Sequence, residues 1–259
     1  MARRPAIFIS HGSPMLMFEP VPARSFLGEL GATLGRPKAI LSVSAHWETA
    51  APRASVAPQP PTIHDFGGFP DELYQVQYPA PGAPDLAQRA VQLLDDAGIP
   101  AAVDGTRGLD HGSWVPLSLM YPGADVPVTQ LSIQTTLGPA HHVAVGRALA
   151  PLRDEDVLVL ASGGATHNLM SMERGVHDDP PAWAREFDDW LATALETGDE
   201  AGLVAYRTRA PYARQAHPRD EHLIPVFVAF GAGGPSAKGR RLHGSFTHGS
   251  LSMAAFTFE

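Results

Sequence analysis

The chain contains no cysteine. That absence removes disulfides, thiolate metal sites and cysteine nucleophiles together, so any bound metal must be held by imidazole and carboxylate groups. Lysine and arginine are also scarce, 19 against 27 acidic residues, for a formal charge of −8. They form no basic cluster, which argues against a nucleic-acid or anionic-membrane surface, since both need a basic footprint. Long apolar runs are missing as well. The opening Met1–Arg4 leads into an apolar stretch too short for a signal sequence, and no later span reaches 18 residues. The expected location is the cytoplasm, and the expected partners are small molecules, with assembly into a homo-oligomer left open.

What is present fits an ordinary globular chain. Hydrophobic residues make up 44 % and charged residues 18 % of 259, which sets wholesale disorder aside. The length suits one α/β domain over residues 1–259. Proline is in excess, at 25 residues, in segments such as Ala57–Pro61 and Tyr78–Pro84, so stiffened surface loops are expected.

Four short apolar or β-branched runs read as buried strands: Ala6–Ser10, Ala39–Ser44, Val126–Ile133 and Val157–Ala161. Helical spacing appears between and after them. Ala83–Ala97 aligns Leu86, Ala90, Leu93 and Leu94 on one stripe before Gly98, and Pro139–Leu152 is a weaker helix. Pro181–Leu195 carries Trp183, Phe187, Trp190 and Leu191, Glu221–Phe230 forms a last apolar helix, and Ser250–Phe258 closes the chain as a strand. Strands alternating with helices imply a sheet that is at least partly parallel and covered on both faces.

Ligands of open α/β sheets bind beyond the carboxyl ends of strands. At or just past three of the predicted strands stand His11, His46 and, in Ser162-Gly163-Gly164-Ala165-Thr166-His167-Asn168, His167. A histidine at a strand end is held rigidly and faces the cleft, as a metal requires of its ligands. The framing does not extend to His141, His142, His177, His217, His243 and His248, which read as structural or exposed. His64, in a Gly/Pro-rich loop, and His111, beside Asp110, suit either a structural or a binding role. In His217-Pro218-Arg219-Asp220-Glu221-His222, Asp220 and Glu221 suit a helix start. Equally, His222 or Glu221 suits a metal, and spacing does not choose between them. Trp47, Phe66, Phe69 and Trp114 suit an aromatic wall for a substrate, but such side chains more often bury area in the core. Arg53 or Arg107 would suit a substrate carboxylate, or solvent alone.

Six motifs, in order, carry a family resemblance: His11-Gly12-Ser13-Pro14, Ser44-Ala45-His46-Trp47, Ile63-His64-Asp65-Phe66-Gly67-Gly68-Phe69-Pro70, Asp110-His111-Gly112-Ser113-Trp114, Ser162-Gly163 through His167-Asn168-Leu169, and Glu221-His222-Leu223. With the closing Gly249-Ser250-Leu251-Ser252-Met253, the chain resembles the class III extradiol ring-cleaving dioxygenases, most closely single-chain members of the 4,5-DOPA dioxygenase type. The resemblance implies an enzyme that opens a catechol ring, a small aromatic diol, with O2. It implies metal ligands at His11, His46 and His222, with Glu221 as the alternative third ligand. His167 would be a catalytic histidine able to approach the metal, and His111 would lie near the substrate. Two-subunit relatives complete a two-histidine, one-carboxylate set, whereas the matching residue here is His222. Ring cleavage calls for Fe(II), because Zn(II) lacks an accessible redox change although the same ligands would bind it. A zinc-dependent hydrolase or amidase on the same site, and a non-enzymatic metal-binding relative, are the competing readings.

Overall fold

In a computed structural model, which describes residues 3–173 and 179–259, the chain builds one large sheet with helices on both faces. His177 lies outside the described residues. The strands are β1 (Ala6–Ser10), β2 (Ala39–Glu48), β3 (Arg53–Ser55), β4 (Ala102–Asp104), β5 (Val128–Ile133), β6 (Val157–Gly163), β7 (Gly239–His243), β8 (Phe246–Thr247), β9 (Leu251–Ser252) and β10 (Ala255–Phe258). Eight form the main sheet in the order β4-β3-β5-β2-β6-β1-β10-β7, and β8 pairs with β9 in a separate ribbon. The central β5-β2-β6-β1 pairings are parallel, while β10 and β7 add antiparallel strands at one side. These are the apolar runs of the sequence. Burial on both faces is why they are continuous rather than alternating.

Alternate residues of each central strand feed opposite layers. Phe8, Leu41, Val159 and Phe256 pack into the layer under the helices Pro84–Asp96, Gly138–Leu149, Ala182–Thr197 and Ile224–Ala232. Ile7, Ile9, Ile40, Leu158 and Leu160 pack into the other, under Pro22–Leu34 and His111–Met120. Proline occupies the first turn of four of these helices, Pro22, Pro84, Pro139 and Pro225. There it loses no helical hydrogen bond and its fixed φ favours the turn, so part of the proline excess starts helices rather than stiffening loops.

Several boundaries differ from the sequence reading, each for a local reason. The last helix opens at Ile224, not Glu221. Glu221 and His222 sit in a turn whose Leu223 and Ile224 N–H groups donate to the Asp220 carbonyl, and the Asp220 side chain makes no cap because it accepts from the Tyr206 hydroxyl at 2.6 Å. The helix expected over residues 139–152 gives way at Ala150 to a tighter 3-10 turn, Ala150–Glu155, that carries Pro151. The expected closing strand is interrupted between Ser252 and Ala255. Strand β2 runs on through Glu48, so His46 lies within it. Its end bends away from β5, where the register shifts between Val43 and Glu48. Short or mixed-polarity elements, β3, β4, β7 and the helices Pro22–Leu34 and His111–Met120, gave no clear period in the sequence.

Candidate metal and catalytic centre

Strands β2, β6 and β1 are neighbours and parallel, so their carboxyl ends open on one edge of the sheet. His11 follows β1, His46 stands near the end of β2, and His167 follows β6 by four residues. His222 is added from far along the chain by close backbone contact: its carbonyl accepts from Gly164 N–H at 2.8 Å. Gly163 makes this approach feasible, because a Cβ there would lie 2.1 Å from the His222 carbonyl oxygen. Gly112 does the same at the start of the helix His111–Met120. A Cβ on it would stand 2.5 Å from Ser44 Oγ and 3.0 Å from the His46 ring.

Donor atoms of His11, His46 and His222 lie within 4.8 Å of one another. Two further groups among the described residues are similarly close, His46 with Asp65 and His111, and His167 with Glu221 and His222. His46 and His111 rings are 4.0 Å apart, and His167 stacks on His222 at 3.4 Å with an interplanar angle of 5°. Five of the twelve histidines thus form one cluster.

Hydrogen bonds engage Nδ1 of three rings, and a longer contact to a carboxylate engages the fourth. His11 Nδ1 donates to Ser162 Oγ at 3.0 Å, and that hydroxyl in turn donates to the Gly112 carbonyl. His222 Nδ1 lies 3.2 Å from Glu221 Oε1, which places Glu221 behind the ring rather than in front of it. His111 Nδ1 donates to Asp65 Oδ1 at 2.9 Å, and His46 Nδ1 faces Asp65 Oδ2 at 3.5 Å. With the Nδ1 protons drawn to these oxygens, Nε2 is the lone-pair nitrogen of His11, His111 and His222, and the Asp65 carboxylate favours the same tautomer at His46.

One consequence decides whether a metal fits. His11 Nε2 and His46 Nε2 are 3.1 Å apart, and two lone pairs facing each other at that distance repel unless a cation lies between them. Two nitrogens each about 2.1 Å from a shared ion and at right angles would be about 3.0 Å apart. Three neutral imidazoles, one face open and no thiolate describe a site for a first-row divalent ion.

The electrostatics agree with neutral ligands. Burial, followed by the repulsion of neighbouring imidazoles, holds His11 and His222 well below the usual histidine range. Burial brings His46 and His167 down to about 4, the Glu221 carboxylate partly opposing the shift at His167. Partial burial pushes the Asp65 carboxyl up, but the hydrogen bonds from His111 overcome it and bring it to about 2. Neutral rings of this kind could take up a cation at neutral pH without first losing protons.

A cavity of about 360 Å³ opens over these rings. His11, His46, Asp65, His111, His167 and His222 line one end, and Pro14, Phe66, Phe69, Leu169, Met172 and Leu251 supply the apolar walls.

Of the aromatic residues singled out in the sequence, Phe66 and Phe69 face this cavity, while Trp47, His64 and Trp114 are absent from its lining. Trp47 is buried under the Arg107 guanidinium. Trp114 is fully buried and its indole N–H donates to the Ile63 carbonyl at 2.9 Å, and His64 Nε2 lies 3.0 Å from the Val76 carbonyl. Arg107 is engaged by Asp110 at 2.6 Å and by the His46 carbonyl, and Arg53 is exposed. His142 and His217 are buried, His141 bonds Gln134, His243 stacks on Phe26, and His248 lies 3.4 Å from Glu19. Asp65 and Ser162 were quoted in motifs but not singled out. An acidic residue inside a Gly/Pro-rich loop that carries a histidine and an aromatic was the available signal for Asp65.

Comparison with known proteins accords with this geometry. Residues 5–258 match the family model described as the catalytic LigB subunit of aromatic ring-opening dioxygenase. The 4,5-DOPA dioxygenase extradiol of Beta vulgaris is 46 % identical over 97 % of this chain and 95 % of its own length. The protein of the same name from Escherichia coli K12 is 43 % identical over 89 % of this chain and 85 % of its own. The crystal structure of an uncharacterized Escherichia coli K12 protein superposes with a TM-score of 0.83 at 36 % identity, covering 99 % of this chain and all of that one. The chain belongs to the LigB family of extradiol aromatic ring-opening dioxygenases, and is an oxidoreductase of that class.

Proposed function

We propose that this enzyme is a metal-dependent dioxygenase that opens a catecholic ring, of DOPA or a related diol, beside one of its hydroxyl-bearing carbons. His11, His46 and His222 hold the ion. The observation that carries the reading is the convergence of the His11 and His46 Nε2 atoms to 3.1 Å, each ring's Nδ1 being turned to an oxygen. Glu221, the alternative ligand, serves better as the acceptor that orients His222, since its oxygen meets Nδ1.

Fe(II) is the resident ion on this reading, because it would bind both catechol oxygens, lower their pKa and pass electrons between diol and dioxygen, which Zn(II) in the same ligands would not. The chain's own residues handle position and protons. Phe66 and Phe69 offer apolar surface to the ring of the diol and, with Leu169, Met172 and Leu251, limit water around it. His167 enters neutral and accepts a proton from a substrate hydroxyl. The Glu221 carboxylate favours the cation so formed, and His167 then returns the proton to a departing oxygen. His111, its Nδ1 committed to Asp65, turns Nε2 as an acceptor toward the second hydroxyl.

The relatives' names supply DOPA as the first substrate to try. Oxygen uptake and a yellow ring-fission product from catechols, measured after anaerobic loading of the apo-protein with Fe(II), test the proposal. No uptake with any catechol, together with zinc-supported ester or amide hydrolysis, would assign the site to hydrolysis instead.

A further inference from the structure

Asp65 lies at a junction that neither a loop nor a helix end requires. Its Oδ1 accepts two hydrogen bonds from the same residue, His111 N–H at 3.0 Å and His111 Nδ1 at 2.9 Å, while Oδ2 stands 3.5 Å from His46 Nδ1. Capping does not explain this. The helix His111–Met120 already has its cap in Asp110, whose side chain accepts from Ser113 N–H. Nor is Asp65 a solvated surface acid, since its side chain is only 23 % exposed and borders the cavity.

The loop that carries it is pinned at the two residues just before the carboxylate. Ile63 N–H donates to the Leu109 carbonyl at 2.8 Å, the Trp114 indole holds the Ile63 carbonyl, and His64 holds the Val76 carbonyl. Trp114 and His64 thus act at a distance from the cavity, as anchors for the two residues after His64. Those residues are Asp65 and Phe66, one polar and one apolar, both at the cavity wall.

We propose that Asp65 is a positioning residue that fixes the orientation and tautomer of His111, and steadies His46, so that the open nitrogen of each ring faces the cavity. This rests on the ring-opening reading for its effect on turnover, but its structural part stands independently. A neutral imidazole carries one N–H, and whichever acceptor captures that proton decides which nitrogen is left as a lone pair. With Asp65 in place, His111 offers an acceptor to the substrate. Without it, the ring has no partner to hold Nδ1–H, rotates more freely and presents a donor part of the time.

Two substitutions separate this from a structural role. Asp65→Ala removes both acceptors, whereas Asp65→Asn retains one oxygen that reaches His111 while changing the atom that faces His46. The direct readout is 15N NMR of histidine-labelled, zinc-loaded protein, which reports protonation of each ring nitrogen, with the His111 signals assigned by loss in His111→Gln. The wild type is expected to show Nδ1 protonated and Nε2 bare at His111. Asp65→Ala should lose that pattern, and its iron-loaded form should lose roughly 10- to 100-fold in kcat, with KM for the catechol changing less. Asp65→Asn should keep the Nδ1–H pattern and more of the turnover. Unchanged His111 signals in a folded Asp65→Ala protein would overturn the proposal and leave the ring-opening reading intact. Equal losses of turnover in the two variants, with His111 signals alike, would also overturn it. A wild type inert toward every catechol would instead overturn the ring-opening reading and leave the NMR result valid.

Discussion

A histidine serves a metal best when its second nitrogen is committed elsewhere, and here three residues make the commitments: Ser162 for His11, Asp65 for His46 and His111, Glu221 for His222. Removal of a ring should therefore have different consequences at different positions. His11→Ala or His46→Ala deletes half of the facing Nε2 pair, and metal content after dialysis should fall to near zero. His167→Ala should leave metal content largely unchanged while turnover drops by roughly two to four orders of magnitude, as measured by oxygen uptake on protein of known iron content. Loss of metal in that variant would make His167 a ligand. At this scale the sequence was informative where a histidine sat at a strand end, as with His11 and His46. It could not choose between Glu221 and His222, because the two are adjacent and the choice depends on which way a turn faces. That direction is set by Gly163 and Gly164, some 60 residues earlier in the chain.

Secondary-structure elements bring these residues together through two close approaches. Gly163→Ala would drive a methyl group into the His222 carbonyl, and the turn bearing His222 would have to move. Overpacking of this kind typically costs about 1–3 kcal/mol, so a lower melting temperature and weaker metal binding should appear together. Gly112→Ala should act likewise through Ser44 and His46.

The helix Gly138–Leu149 supports a separate prediction about pH. His142 is buried in it, accepting from Gln134 N–H at Nε2 (3.0 Å) and donating from Nδ1 to the Gly138 carbonyl, and burial brings its pKa down to about 4. The unfolded chain, with a histidine near 6.5, binds the proton more readily. Stability from the neutral ring is thus complete above pH 6.5 and is lost as pH falls toward 4, by about 3 kcal/mol. Chemical denaturation of the wild type and His142→Gln at pH 7.5 and 4.5 should show the wild-type advantage shrinking at the lower pH. An advantage that stays constant would mean the ring is not neutral in the fold. A continuous apolar run with polar or small residues at its ends, β1 above all, was legible in the sequence to the residue. The helix His111–Met120 was not, because it is buried nearly all round and shows no polar face.

At the scale of the molecule, the parallel order β2-β6-β1 explains why residues 11, 46 and 167 reach one edge, and a β-α alternation in the sequence was enough to anticipate that edge. The antiparallel side was less legible: β10 pairs with β1 across more than 200 residues, which leaves no local pattern, and β7 is a short, mostly polar strand. No helix among the described residues is long and apolar enough to cross a membrane. Because the metal would bind the folded cluster and not the unfolded chain, it should stabilise the whole fold. At a free concentration a thousandfold above Kd the gain is about 4 kcal/mol, visible in calorimetry as a higher melting temperature for Fe(II)- or Zn(II)-loaded protein than for chelator-treated protein. Zinc should reproduce the stabilisation without the reaction.

That contrast gives the most direct test of the central claim, that the cluster around His11, His46 and His222 is a redox metal site for ring opening. Apo-protein loaded anaerobically with Fe(II) or with Zn(II) is mixed with DOPA and other catechols in air, and oxygen consumption is measured against ring-fission product. One O2 should be consumed per ring opened with iron and none with zinc. Equal inactivity of both forms toward every catechol, with hydrolysis of an ester or amide supported by zinc, would contradict it.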